Sequence, residues 1–221
     1  YKNPGFDPVN DFVPLAMIGS VPNVLVVNPN FPAKNLEDFL RLVKSKPPET
    51  YQYASAGNGT LNHLLGEMLN QSYGISLQHI PYKGAAPLLQ DMLGGHVTLS
   101  FIDMSTALPH VRSGKVKAYA TVSDKRLEVL PDVPTFTELG YQGMDLVGWY
   151  GMFAPARLSQ DITEKIRTSI DKVLNSAEVQ KKISEIGLFP ANGKPEDFAA
   201  RIAVDLNKWK RIIDDAGVQL Q

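Results

Sequence analysis

One segment of the chain, Tyr51–His63 (YQYASAGNGTLNH), combines residue types that together can bind an anion. Its alternating first residues predict a strand, the small residues 55–60 predict a loop, and the apolar residues that follow at helical spacing predict a helix. Asn58 or Thr60 is suited to cap that helix. Free backbone N–H groups at a helix start, together with the helix dipole, attract negative charge. The segment therefore predicts an anion-binding loop.

Two glycines in this loop, Gly57 and Gly59, have no Cβ and so let a carboxylate or phosphate approach the backbone closely. The alternative is an ordinary turn in which the glycines serve only the geometry of the chain, and these residues alone leave both interpretations open. The spacing matches neither the P-loop nor the dinucleotide-binding fingerprint, because it lacks both G-K-[ST] and G-x-G-x-x-G.

Four further residues are candidates for the same site. His63 lies one turn inside the helix, where it can reach a bound anion or hydrogen-bond the loop. Asp103 ends the predicted strand Val97–Asp103 and either faces a cleft or caps the next helix, and we favour the cap. Trp149 and Tyr150 are either core aromatics or cleft walls. The full set of predicted ligand-binding residues is Ser55, Ala56, Gly57, Asn58, Gly59, Thr60, His63, Asp103, Trp149 and Tyr150.

The sequence favours binding over catalysis. Ser55 lies in a tight strand-to-helix turn, but the G-x-S-x-G motif of a nucleophile elbow is absent. The four histidines have neither i, i+3 nor i, i+4 spacing, and there is no cysteine, so no metal site is predicted. We therefore predict no catalytic residue, no metal and no cofactor.

Composition excludes two other classes of function. A net charge of -1 over 221 residues offers no basic surface for nucleic acid. No apolar run approaches the roughly 18 residues that a membrane span requires. The absence of cysteine suits an oxidising compartment.

Strands and helices alternate along the chain, which predicts an α/β fold with parallel strand pairing. Two strands, Asn23–Val27 and Leu146–Phe153, enter and leave a run of β-α units, and this layout predicts two lobes with a cleft between them. The other predicted strands are Phe12–Ile18, Leu77–Tyr82, Val97–Asp103 and Lys117–Val122; the predicted helices are Asn35–Ser45, Ala85–Leu93, Ser105–Arg112, Thr135–Leu139, Gln160–Ile186 with a break near Asn175, and Pro195–Ala216.

Segments along the whole chain carry a resemblance to a known family. They include FDPVNDFVPLAMIGSVPNVLVVNP, TYQYASAGNGTLNHLLGEML, HIPYKGAAPLLQDMLGGHVTLSFID, LPHVRSGKVKAYATVSDKR, VPTFTELG and GWYGMFAPA. In these segments and in their order the sequence resembles the solute receptors of tripartite tricarboxylate transporters, the Bug family of periplasmic binding proteins.

The resemblance implies a type II periplasmic binding protein with two α/β lobes joined by two crossover strands. Residues 1–27 and 148–221 would form lobe 1, and 28–147 would form lobe 2. It further implies a periplasmic, monomeric receptor that binds a mono-, di- or tricarboxylate, an aromatic acid or an amino acid and delivers it to membrane components of a transporter. Two loops, one from each lobe, would hold the carboxylate, and the lobe 2 loop corresponds to Ser55–Thr60.

The sequence departs from the family pattern at its start. Family members begin with a signal peptide, a strand and a Gly-rich loop of lobe 1, and we expect these residues to be missing here. Two alternatives stay open: an α/β hydrolase that uses Ser55, and the effector-binding domain of a transcriptional regulator, which would need an upstream helix-turn-helix.

Overall fold

The computed structural model describes residues 5–144, 146–191 and 193–215, and it has a mixed α/β architecture. The strands are β1 (Phe12–Val21), β2 (Asn23–Val27), β3 (Gln52–Ser55), β4 (Gln78–Pro81), β5 (Leu99–Asp103), β6 (Lys117–Val122), β7 (Gly148–Pro155) and β8 (Phe189–Pro190). The helices are α1 (Leu36–Lys44), α2 (Leu61–Tyr73), α3 (Ala85–Leu93), α4 (Met104–Arg112), α5 (Gln160–Leu174), α6 (Ala177–Glu185) and α7 (Pro195–Asp215).

The larger sheet has five strands in the order β4-β3-β5-β2-β6. β3 runs parallel to both β4 and β5, whereas β2 runs antiparallel to β5 and β6. The prediction of parallel pairing is therefore right for three strands and wrong for β2 and β6. β2 enters this sheet directly from β1, and the direction in which it enters opposes that of the β-α units.

The smaller sheet has three strands in the order β7-β1-β8, and all of its pairs are antiparallel. β1 and β2 follow each other with only Pro22 between them, so the chain passes from one sheet to the other at that residue. The return passage lies in the segment 123–147, between β6 and β7. β2, predicted as a crossover strand, pairs along its whole length within the larger sheet.

Two apolar layers cover the faces of the larger sheet. Because side chains alternate along a strand, Leu25 and Val27 of β2 pack into one layer with α1 and α2, and Val24 and Val26 pack into the other with α3 and α4. All four side chains are fully buried. The larger sheet is thus a central layer between two layers of helices.

Most helix ends in the structure agree with those predicted from local sequence signals. Asn35 caps α1 by accepting a hydrogen bond from the N–H of Asp38, and the predicted break after α5 occurs, with Ser176 capping α6. The predicted helix Thr135–Leu139 is wrong. Thr135 and Glu138 form a capping box, but Gly140, at φ +81°, ends the helical turn at once. Ala216, the predicted last residue of α7, lies outside the described residues.

A glycine inside α2 allows that helix to approach the sheet. A Cβ at Gly66 would lie 2.1 Å from Cε2 of Tyr53, whose ring is fully buried.

We predict that Gly66→Ala destabilises the fold by about 1–2 kcal/mol, because the clash outweighs the gain in helix propensity. Urea denaturation measures this change. Ser72→Ala, at an exposed position of the same helix, is the control and is expected to be neutral or slightly stabilising. A Gly66→Ala variant as stable as this control would contradict the packing argument.

Candidate functional site

Three helices begin at one edge of the larger sheet. The parallel strands β4, β3 and β5 all end at that edge, and α3, α2 and α4 follow them there. Two hydrogen bonds join the loop between β4 and α3 to the end of β3 and the loop that follows it. Tyr82 N–H donates to Ser55 O at 2.9 Å, and Gly84 N–H donates to Ala56 O at 3.0 Å. The positive ends of three helix dipoles therefore converge on one surface.

The start of α2 leaves backbone donors unpaired. Thr60 is the N-cap residue, as one of the two predicted options had it, but its hydroxyl donates to Gly57 O at 2.7 Å and caps no helical N–H. The backbone N–H groups of Asn58, Leu61, Asn62 and His63 donate to no acceptor among the described residues. These groups are available to an anion.

The loop glycines serve the geometry of the chain. Gly57 has φ +145° and Gly59 has φ +74°, conformations that favour glycine. Their N–H groups are already used, because Gly57 donates to Ser55 Oγ at 3.2 Å and Gly59 donates to His63 Nδ1 at 3.0 Å. They shape the loop, and the free donors belong to Asn58 and to the first turn of α2.

His63 contacts the loop directly and is only 7% exposed. Of its two predicted roles, the structure shows the hydrogen bond to the loop. Its ring stacks on that of His79 with centroids 3.8 Å apart, and His79 stacks in turn on Tyr53 at 4.8 Å. Tyr53 donates to the carboxylate of Glu67. This stack lies directly beneath the loop.

The buried stack shifts the acid-base properties of its members. Burial lowers the pKa of His63, and the nearby Glu67 carboxylate opposes that effect. Burial, and to a lesser extent His63, lowers the pKa of His79 to about 4. Burial and the bond to Glu67 raise the pKa of Tyr53. Both imidazoles are therefore neutral at pH 7.

Ser55 has a histidine partner but not the surroundings of a nucleophile. Its Oγ lies 2.7 Å from His79 Nε2, a distance typical of a Ser-His pair. The residue is fully buried, and its Oγ also accepts the N–H of Gly57. Among the described residues no carboxylate hydrogen-bonds to His79 to orient it as a base. The pair holds the loop in place.

Asp103 caps α4, the role that we favoured. Its carboxylate accepts a hydrogen bond from the N–H of Thr106 at 3.0 Å and another from the hydroxyl of Ser105. Tyr150 of β7 lies near the same helix start: burial and, secondarily, the Asp103 carboxylate raise its pKa, and Ser105 acts in the opposite sense. Tyr150 is 46% exposed.

Trp149 points to the opposite face of β7, as alternation along a strand requires. Its Nε1 donates to Asp205 of α7 at 2.8 Å, and its ring meets Phe198 edge-on at 4.8 Å. It also lines, with Gly59, a cavity of about 460 Å³ between α2, β7 and α7. Four of the predicted residues thus fall into two pairs: Gly59 and Trp149 line this cavity, whereas Asp103 and Tyr150 lie at the start of α4.

Three residues that hydrogen-bond to the Ser55–Thr60 loop were not predicted from residue types: His79, Tyr82 and Gly84. The signal was present in the segment HIPYKGAAP, which repeats the strand–loop–helix pattern of the first loop with Gly84 before α3. Because β4 is the parallel neighbour of β3, the two loops had to meet at one edge.

A family model described as the tripartite tricarboxylate transporter family receptor matches residues 1–218. The chain belongs to this family. Among the curated relatives, BugT of Bordetella pertussis is 32% identical over 96% of this chain. The chain spans 65% of the length of BugT and 60–68% of the next three relatives that it matches.

Solved structures of family members have the same fold. The periplasmic binding protein BugD is 34% identical, with a TM-score of 0.92 over 100% of this chain and 74% of its own. Rpa4515 of R. palustris, solved with adipate, is 28% identical, with a TM-score of 0.93 over 99% and 73%. MatC of Rhodopseudomonas palustris, solved with malate, is 28% identical, with a TM-score of 0.86 over 94% and 71%.

The described residues contain neither a cluster of metal ligands nor a membrane-spanning helix. Within residues 5–144, 146–191 and 193–215, no group of three or more metal-ligating side chains is placed to hold an ion. No helix in the same ranges has the length and apolar character to cross a membrane.

Asp103 should contribute to stability and not to ligand affinity. We predict that Asp103→Ala costs about 1 kcal/mol of unfolding free energy, whereas Asp103→Asn costs less because asparagine also caps well. Urea denaturation gives both values, and calorimetry with any carboxylate that stabilises the wild-type protein gives the affinity, which should be unchanged in Asp103→Asn. A loss of affinity on the order of thirtyfold in Asp103→Asn would instead place this carboxylate against the ligand.

The histidine stack predicts acid-sensitive stability. The pKa of His79 falls from its ordinary value near 6.5 to about 4 on folding, so the unfolded chain binds more protons between these pH values. The contribution of His79 to the free energy of unfolding is therefore fully present above pH 6.5 and is lost as the pH falls towards 4. The loss amounts to about 1–3 kcal/mol. Urea denaturation at pH 7.5 and pH 5 measures the decline in wild type and in His79→Gln, which lacks the titrating ring. Equal declines in the two proteins would refute the assignment.

Proposed function

We propose that this chain is the ligand-binding part of a periplasmic receptor that captures a small organic carboxylate and delivers it to a tripartite transporter in the membrane. The observation that carries the proposal is the set of free N–H groups at Asn58 and the first turn of α2. A carboxylate has two oxygens that accept such donors, and the dipole of α2 favours its charge. The adipate and malate in the related structures belong to the same chemical class.

We propose two lobes that close on the ligand. The smaller sheet with α5, α6 and α7 belongs to one lobe, and the larger sheet with α1–α4 belongs to the other. The continuous pairing of β2 with β5 and β6 supports a first boundary at Pro22 rather than after Val27. Tyr150 of β7, whose pKa the Asp103 carboxylate at the start of α4 helps to raise, is suited to mark the closed arrangement.

Recognition by the Ser55–Thr60 loop requires no chemistry on the ligand. Ser55 is buried and committed to the loop, so we propose a receptor without enzymatic activity. The ligand is held by main-chain donors, and Trp149 borders the same space through the cavity that it shares with Gly59. We propose that the whole receptor acts as a monomer.

A strained loop should lose its ligand. Gly59 has φ +74° and open space where a Cβ would lie, so Gly59→Val fits sterically but forces a β-branched residue out of its preferred conformation. We predict that this variant folds and that its affinity for the bound carboxylate falls by about tenfold or more. A panel of carboxylates that includes malate and adipate is screened by thermal shift, and calorimetry then measures the affinity of each one that binds.

Gly114→Val is the matched control. Gly114 has φ +70° and the same open surroundings, but it follows the end of α4, away from the loop. It should lose similar stability and keep wild-type affinity. Wild-type affinity in Gly59→Val would contradict the role of the loop, and a wild-type protein that no carboxylate stabilises would contradict the proposed function itself.

A further inference from the structure

Two stacked histidines support the Ser55–Thr60 loop from below, each through a different glycine. His63 Nδ1 accepts the N–H of Gly59 at 3.0 Å. His79 Nε2 lies 2.7 Å from Ser55 Oγ, which in turn accepts the N–H of Gly57 at 3.2 Å. The planes of the two rings are nearly parallel, at 7°, with centroids 3.8 Å apart.

We infer that His63 and His79 are positioning residues for the carboxylate site: together they hold Gly57 and Gly59 in the conformation that leaves the N–H of Asn58 and the first turn of α2 free. This inference rests on the proposed function for the identity of the ligand. The anchoring itself is a property of the unliganded loop and can be measured without any ligand.

The two anchors respond differently to acid. His63 accepts through Nδ1, so its proton lies on Nε2, and adding a second proton at Nδ1 removes the lone pair that holds Gly59. His79 can donate to Ser55 Oγ as well as accept from it, so its contact survives protonation. The titratable and charged groups that face the rings are Glu67 of α2, 3.9 Å from His63 Nε2, and Tyr53 of β3.

The packing of the rings keeps both neutral near pH 7. Two cationic rings 3.8 Å apart would repel each other, and burial disfavours either charge. Glu67 opposes this for His63, but its carboxylate already accepts the hydroxyl of Tyr53. The pKa of His63 is lowered as a result, so the loop keeps its anchor at neutral pH and loses it only in acid.

Nuclear magnetic resonance of the ¹⁵N-labelled protein tests the anchors directly. As the pH is lowered from 7.5, the amide shift of Gly59 and its protection from exchange should change with the same midpoint as the His63 ring, below the ordinary histidine value. The Gly114 amide should not follow this titration. A Gly59 amide that ignores the protonation of His63 would overturn the inference.

Matched variants separate the hydrogen bond from mere packing. His63→Asn places Oδ1 where Nδ1 lies and should keep the protection of Gly59 while abolishing its titration. His63→Leu should lose that protection at every pH. Ser55→Ala should expose the Gly57 amide and leave Gly59 protected. Protection of Gly59 that persists in His63→Leu would overturn the inference, and the wild-type titration decides the matter should His63→Leu not fold.

Ligand binding gives the second readout, with malate and adipate as probes. His63→Leu should bind about tenfold more weakly and His63→Asn within about threefold of wild type. Equal binding by all three proteins would overturn the positioning role. If the amide data support the anchors but neither probe binds wild type, the anchors stand and the proposed function must be revised.

Discussion

The position of β3 between two parallel neighbours is the constraint on which the site depends. Parallel strands end at the same edge of a sheet, and each is followed by a helix that starts there. The pairing of β4, β3 and β5 is therefore sufficient to bring three helix starts together. Neither α2 nor α3 has a side-chain cap. Because both helices begin at this edge, the uncapped N–H groups of their first turns lie there together.

The loop at this edge is held by the side chains that lie beneath it. Tyr53 fills the space that Gly66 leaves against α2, and the rings of His79 and His63 stack on it in sequence. The histidines then hold the two loop glycines through hydrogen bonds. A preorganised loop does not need to be ordered when the ligand arrives, which saves binding free energy.

The sequence predicted well what depends on local signals. The bounds of α3 and β6 agree with the prediction, and the caps at Asn35 and Asp103 follow from residue type at a helix start. The direction of β2 was missed because it depends on which strands lie beside it, and no residue within β2 records that.

The strand, loop and helix start were predicted in place, but the hydrogen bonds that hold the loop were not. The segment Tyr51–His63 identified the loop, because glycine and cap residues between a strand and a helix are a local pattern. The contact between Ser55 and His79 was invisible, since these residues are 24 positions apart and meet only through strand pairing. Sequence alone also did not predict which loop amides are hydrogen-bonded. The N–H groups of Gly57 and Gly59 donate to side chains, whereas the neighbouring N–H groups stay free.

Recognition by main-chain donors has a consequence for specificity. Backbone N–H groups read a carboxylate as a pair of oxygens with negative charge, and they do not distinguish one organic acid from another. In the proposed receptor this loop therefore supplies affinity for the group that all its ligands share. Discrimination among acids must come from the surfaces that meet the rest of the ligand, where side chains such as Trp149 and Tyr150 differ in shape, polarity and charge. The loop can then stay the same while the ligand changes, because only these surroundings need to vary.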